Sequence, residues 1–187
     1  MVVPGGARTA GLLLAAGGGR RFGMPKALVP YRGRLLVEHA LIALADCHPR
    51  VVVLGAGAEQ VPELPAVVVR NEVWTTGMGS SLRVGLAALE GTDADAVVVL
   101  PVDTPGVTAA AVARLAALAA PDALARASYA GVPGHPVLIG RAHWAGVAEL
   151  AVGDTGARPY LARHPVTDVP CGDVAEGADA DRPEELS

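Results

Sequence analysis

The segment Leu14-Ala15-Ala16-Gly17-Gly18-Gly19-Arg20-Arg21-Phe22-Gly23-Met24-Pro25-Lys26 follows a short apolar run and combines glycines with fixed positive charge. Glycine lets main-chain N–H groups approach phosphate oxygens closely, and the end of a strand is where an open α/β sheet gathers its ligands. Two common phosphate loops are excluded by spacing. A dinucleotide fingerprint counted from Gly17 needs glycine where Phe22 stands, and a Walker A loop spaced from Gly18 to Gly23 must not continue with Met24 and Pro25. What remains is a long loop with two cations, Arg21 and Lys26, suited to wrapping a triphosphate. Lys26 is the only lysine among 15 basic residues. A compact ammonium suits a phosphoryl group whose charge shifts during reaction, whereas a guanidinium fork suits a static contact.

Asp103 closes the apolar run Val98-Val99-Leu100-Pro101-Val102. Taken alone it would suit a cap for the helix that starts near Thr108. On the same sheet edge as the glycine loop it becomes a hard oxygen ligand for Mg²⁺, which takes one or two carboxylates and completes its shell with water and phosphate. The closing segment Gly177-Ala178-Asp179-Ala180-Asp181-Arg182-Pro183-Glu184-Glu185-Leu186 reads by itself as an acidic, solvated tail with a Pro-started last helix. Asn71-Glu72-Val73-Trp74-Thr75-Thr76-Gly77-Met78-Gly79-Ser80-Ser81-Leu82 opens a helix, with Ser80 or Ser81 as its N-cap and free N–H groups that form an anion or base-edge site. Gly134-His135-Pro136-Val137 is a turn leading into a strand, and Gly153-Asp154-Thr155-Gly156-Ala157-Arg158 an Asp-capped helix start. The remaining histidines, His39, His48, His143 and His164, have no such context and are taken as structural.

The elements that must position these residues are legible as a rhythm. Short apolar runs at Leu12–Ala15, Val51–Leu54, Val67–Val69 and Val97–Leu100 alternate with helical spacing over Leu35–Ala45, Leu82–Leu89 and Ala109–Leu118. That alternation predicts a doubly wound α/β fold with a mostly parallel sheet buried on both faces. After Pro121 the pattern loosens into short strands near Ser128–Ala130, Val137–Ile139 and Val166–Val169, with helices near Ala142–Leu150 and Arg158–Arg163. One domain over 10–187 is expected, with residues 1–9 frayed. Only 3% of the 187 residues are aromatic against 51% hydrophobic, so the core must be Ala, Val and Leu, and function is not expected to rest on aromatic stacking. A net charge of −4 without a basic run argues against nucleic acid. Cys47 and Cys171 lack disulfide or zinc spacing, and Arg114 interrupts the longest apolar run, so a reduced, cytoplasmic protein without a membrane span is expected.

The loop pattern L-A-A-G-x-x-x-R-x-G-x-x-K resembles the signature of MobA-like nucleotidyltransferases, especially the molybdenum cofactor cytidylyltransferases, and the resemblance runs from Gly11 to Leu186. It implies a three-layer, Rossmann-like fold of the nucleotide-diphospho-sugar transferase type. By the same resemblance Leu14, Ala15, Ala16, Gly17, Gly18, Gly19, Gly77, Ser81 and Pro101 hold the nucleotide, and Lys26, Arg21 and Asp103 are catalytic. Asp103 falls in a D-x-P metal motif, and Asp181, with Asp179 beside it, would complete a site for Mg²⁺ or Mn²⁺. Arg182 replaces the threonine usual in that closing segment. His135, Asp154 and Arg158 match motifs on the acceptor side. The resemblance implies CTP as donor and molybdenum-bound molybdopterin as acceptor, with a molybdenum hydroxylase or its chaperone downstream. The second alanine of Leu14-Ala15-Ala16-Gly17 is the cytidylyl-like form. Two alternatives stay open: GTP or another NTP with molybdopterin or a sugar or alditol phosphate, and a non-catalytic nucleotide-binding module that delivers a cofactor.

Overall fold

A computed structural model describes residues 6–187. In chain order the strands are β1 (Thr9–Ala15), β2 (Pro30–Tyr31), β3 (Arg34–Leu35), β4 (Arg50–Leu54), β5 (Val67–Arg70), β6 (Ala96–Pro101), β7 (Leu124–Tyr129), β8 (Val132–Gly140) and β9 (Thr167–Pro170). The helices are α1 (Leu36–Ala43), α2 (Met78–Leu89), α3 (Ala109–Ala116), α4 (Trp144–Leu150) and α5 (Arg158–Leu161). Seven strands form one sheet in the order β5-β4-β1-β6-β8-β7-β9, while β2 and β3 make a separate small hairpin. The four strands predicted from apolar runs are all parallel neighbours: β5 on β4, β4 on β1, β1 on β6.

Alternate residues of a strand face opposite sides of a sheet, so a run that is apolar throughout buries both faces. Leu13, Val52, Val98 and Leu100 pack under α1 and α3 on one side. Leu12, Leu14, Val51, Val53, Val97 and Val99 pack under α2 and α4 on the other. The result is the expected three-layer α/β/α sandwich. With few aromatics, the layers close through small residues. A Cβ at Gly85 of α2 would lie only 2.7 Å from Leu12 Cδ2, and one at Gly11 of β1 would lie 3.1 Å from Cys47 Cβ.

The second half is less regular. β7 and β8 form a hairpin whose turn residues Ala130 and Gly131 both have positive φ, 50° and 80°, as a tight two-residue connection requires. β8 thereby enters the sheet antiparallel to both β6 and β7, and β9 returns parallel to β7. At the other end, the expected frayed stretch overlaps the described residues only from residue 6. There, the Arg8 N–H donates to Asp95 Oδ2 at 2.8 Å and Thr9 already belongs to β1, so the paired chain begins earlier than predicted. Among the described residues no helix is long and apolar enough to cross a membrane.

Gly85→Val should overfill the contact between α2 and β1 and lower stability by about 1–3 kcal/mol, read as a lower urea midpoint with an unchanged slope.

Candidate functional site

Because β1, β4, β5 and β6 are parallel, the loops that follow them leave from one edge of the sheet. A cleft of about 380 Å³ opens there. Its walls include Leu14 near the end of β1, Ala16, Gly17 and Gly18 from the loop that follows, Gly77 and Ser81 at the start of α2, Pro101 at the end of β6, Asp103 just after it, and Asp154 from the second half.

The glycine loop is shaped by Gly19. Its φ is +60°, and a Cβ there would run into the Met24 carbonyl oxygen. The Phe22 and Gly23 N–H groups donate to the Gly19 carbonyl at 2.9 and 3.0 Å, and the Lys26 N–H returns to the Gly17 carbonyl at 3.3 Å. The loop therefore curls back so that Lys26 projects toward β6. Lys26 Nζ lies 2.6 Å from Asp103 Oδ2 and 2.8 Å from Asp181 Oδ1. Arg21 Nη1 adds a 3.5 Å contact to Asp181 Oδ2 from the more exposed side.

Burial alone would lower the Lys26 pKa, but its hydrogen bonds to Asp103 and Asp181 more than compensate and raise it. The bond from Lys26 holds the Asp181 carboxyl below the ordinary value. By linkage, the lysine's contribution is present at neutral pH and lost as pH rises through its elevated pKa. That of Asp181 is present above its ordinary pKa and lost as pH falls through the depressed one. Asp179 behaves oppositely: burial, then the charges of Asp103 and Asp181, push its pKa up. One ammonium thus faces three crowded carboxyls, which favours further positive charge.

The tail that carries Asp179 and Asp181 is stitched to the loop after β6. The Glu176 N–H donates to the Gly106 carbonyl at 3.0 Å and the Ala180 N–H to the Asp103 carbonyl at 2.7 Å. The Asp181 and Arg182 N–H groups both donate to Glu185 Oε2, at 2.6 and 2.9 Å, so the turn starting at Pro183 is capped without the threonine. Among the described residues no three His, Cys, Asp or Glu side chains already form a cage for a metal ion. Asp103 and Asp181 nevertheless aim carboxylate oxygens at one cationic group. A shielded carboxylate and a half-exposed one beside a cleft match the usual donor set of Mg²⁺ or Mn²⁺, which takes one or two carboxylates with water and phosphate.

Several placements correct the sequence reading. The Ala15 side chain is 1% exposed and belongs to the core on the far face of the sheet, so only its neighbours Leu14 and Ala16 line the cleft. Gly19 and Arg21 border a smaller recess with Asp181 rather than the main cleft. Ser80 and Ser81 do not cap α2; they lie inside it, buried, and both hydroxyls accept from Asn71 Nδ2, at 2.8 and 3.0 Å. The helix instead starts at Gly77, whose φ of 112° and close packing against Gly153 and Asp154 exclude a side chain. Asp154 does not cap α5 either: its Oδ1 accepts from the Met78 N–H at 3.4 Å, so it serves the start of α2. Asp103 is not a helix cap, because Thr108 accepts the Ala111 N–H that opens α3. His135 and Arg158 stand outside the main cleft. Burial lowers the His135 pKa, and the opposing charges of Asp103 and Arg158 reach it.

Sequence reasoning overlooked Trp74, Thr75, Met78 and Arg20, which also line the cleft. Trp74 is the substantive omission, because scarce aromatics suggested that none would matter. Its ring is fitted against glycine: a Cβ at Gly18 would sit 3.1 Å from the indole, and one at Gly55 2.6 Å from Trp74 Cβ. The signal was present as an Asn-x-x-Trp spacing after β5, three residues before Gly77.

The chain resembles known proteins along most of its length. Residues 11–169 match the MobA-like NTP transferase domain. The chain is 38% identical over 192 residues to the nicotine blue oxidoreductase of Paenarthrobacter nicotinovorans, covering 94% of this chain and 93% of that one. It is 35% identical over 139 residues to a molybdenum cofactor guanylyltransferase of Rhodobacter capsulatus, covering 73% of this chain and 66% of the relative. The structure superposes with a TM-score of 0.71 on Rv0371c of Mycobacterium tuberculosis in complex with manganese, at 28% identity over 88% of each chain. The 2-C-methyl-D-erythritol 4-phosphate cytidylyltransferase of Thermus thermophilus shares the fold, with a TM-score of 0.71 at 22% identity over 96% of this chain and 95% of that one.

Of the two tryptophans, Trp144 is buried and Trp74 lines the cleft. A nucleoside triphosphate entering the cleft should therefore change the intrinsic fluorescence in a saturable way. Trp74→Phe should abolish that change while the Trp144 emission persists.

Proposed function

The chain belongs to the MobA-like NTP transferase domain family, and from that membership we propose that it transfers CMP from CTP to the phosphate of molybdenum-bound molybdopterin, releasing pyrophosphate. The observation that carries this reading is Lys26 held between Asp103 and Asp181 at a cleft walled by the glycine loop. A triphosphate laid along Gly17 and Gly18 would bring its anionic oxygens to Lys26 and Arg20, with Arg21 at the outer end.

The reaction is an in-line displacement. An oxygen of the acceptor phosphate forms a bond to the α-phosphorus, and the bond from that phosphorus to the bridging oxygen of the leaving pyrophosphate breaks. The attacking group is already an anion, so no general base and no covalent enzyme intermediate are required. The protein's task is to position the reactants and offset developing negative charge. Lys26 supplies a mobile ammonium, while the main-chain N–H groups of the glycine loop and of the start of α2 supply fixed donors. Asp103 and Asp181, with Asp179 beside them, would hold a divalent ion, Mg²⁺ or Mn²⁺, which when bound supplies charge neutralisation at the α-phosphate and pyrophosphate oxygens. The manganese complex of the M. tuberculosis homologue supports a divalent site. His135 and Arg158, outside the cleft proper, and Asp154 at its margin would receive the acceptor. The relative named a guanylyltransferase supports molybdopterin as acceptor; Ala16 in place of glycine supports CTP over GTP. Such an enzyme would act in the cytoplasm and pass its dinucleotide product to a molybdenum hydroxylase or its chaperone.

One relative favours a second reading, redox chemistry, through the name nicotine blue oxidoreductase. Phe22, at the position where a dinucleotide fingerprint requires glycine, weighs against it. Incubation with Mg²⁺, molybdopterin and each NTP in turn, with pyrophosphate release and product mass as readouts, separates these outcomes. CTP-specific release with the mass of the cytidine dinucleotide is expected. Oxidation of NADH or NADPH by nicotine blue, without pyrophosphate release, would favour the redox reading. Lys26→Ala should lower transferase turnover by roughly 100-fold or more while the circular dichroism spectrum is unchanged.

A further inference from the structure

The chain contains three tyrosines, and one of them, Tyr129, touches neither the cleft nor a neighbouring aromatic ring in the described structure. It ends β7, directly before the positive-φ turn into β8. Its ring packs against two glycines. A Cβ at Gly134 of β8 would lie 3.1 Å from Tyr129 Cε2, and one at Gly177 of the tail would fall onto the ring, 2.8 Å from Cγ. The Tyr129 hydroxyl donates to the His135 carbonyl at 2.6 Å. One ring therefore packs against both the segment containing His135 and the segment leading to Asp179 and Asp181.

The position of Gly177 gives that contact leverage. The tail is fixed at Glu176 by the Gly106 carbonyl and at Ala180 by the Asp103 carbonyl. Gly177 lies between these two anchors. A displacement there must either be absorbed over residues 177–179 or break the Ala180 bond to the Asp103 carbonyl and be passed on to Asp181. The carboxylates at 179 and 181 stand on either side of that anchor, so the depth to which the chain sinks onto the Tyr129 ring sets where both point.

We propose that Tyr129 is a positioning residue: its ring, packed against both Gly134 and Gly177, registers the metal-binding tail against the acceptor-side strand. The proposal rests on the reading of Asp103 and Asp181 as metal ligands. It assigns Gly177 a role as the clearance the ring requires, and it explains why the His135 segment and the tail, far apart in sequence, are held at one spacing.

The test is Mn²⁺ binding to the full chain in the presence of CTP, followed by electron paramagnetic resonance, with thermal unfolding as a check on the fold. Gly177→Ala and Tyr129→Ala should each weaken Mn²⁺ binding by about tenfold or more, the usual consequence of disturbing a support of a metal ligand. Tyr129→Phe keeps the ring and should restore affinity to within about twofold of the unaltered protein, by the same reasoning. Val132→Ala, on the exposed part of the same hairpin, should leave binding unchanged. If Tyr129→Ala does not fold, Gly177→Ala, which adds a single methyl group, decides the matter. Wild-type affinity in Gly177→Ala, alongside loss of binding in Asp181→Asn, would overturn the positioning role and leave the metal site standing. Undiminished binding in both Asp103→Asn and Asp181→Asn, or no saturable binding in the wild type, would overturn the metal site and the proposal with it.

Discussion

The site depends on a single ammonium shared by carboxylates from distant parts of the chain. Lys26 bonds to Asp103, 77 positions away, and to Asp181, 155 positions away. Lys26 and Asp103 side chains are each 18% exposed, whereas Asp181 is 45% exposed. At the inner bond little water screens the attraction, and an unpartnered charge there would be costly. The outer bond is more solvated and correspondingly weaker. This asymmetry suits a reaction centre. The inner carboxylate stands two residues beyond the end of β6, and the outer one stays in contact with solvent.

Holding that arrangement explains features that otherwise look like composition bias. The loop after β1 must reverse tightly enough to bring Lys26 back beside the strand it left, which only glycine allows at position 19. The start of α2 must approach Gly153 and Asp154 so closely that position 77 can carry no side chain. Glycine in these places is destabilising through the entropy it loses on folding. The packed Val and Leu faces of the inner strands β1, β4 and β6, buried on both sides, offset that loss.

Much of the fold was legible because parallel strands buried on both faces must be apolar at every position, a demand that leaves little room for disguise. The inner parallel strands β1, β4 and β6 and the helices that follow them were visible for that reason, whereas β5, equally apolar, is a largely exposed edge strand. So were Lys26 and Asp103, since the end of a strand in such a sheet fixes where a following residue stands. The start of α2 was harder. Its hydroxyl residues resembled N-caps, yet Asn71 recruits both into the interior, and the donor at Met78 finds Asp154, 76 positions away. Cap propensity is local, and here a tertiary contact overrode it. The Ala15 side chain lies in the core for a simpler geometric reason: in a strand that ends at the cleft, alternate side chains face away from it.

Trp74 and Tyr129 show a related limit. In a chain with so few rings, rarity reads as irrelevance, but the opposite inference is physically better founded. Small residues fill a core by stacking backbones close together; they cannot brace two loops that must stay several ångströms apart. A ring can, provided that glycine faces it. Trp74 has Gly18 and Gly55, and Tyr129 has Gly134 and Gly177. In both places an aromatic side chain packs against two glycines that leave little room for a side chain of their own. Read this way, the glycines of the flanking motifs are shaped by the ring beside them as much as by any ligand, and a sequence pattern containing both has two causes.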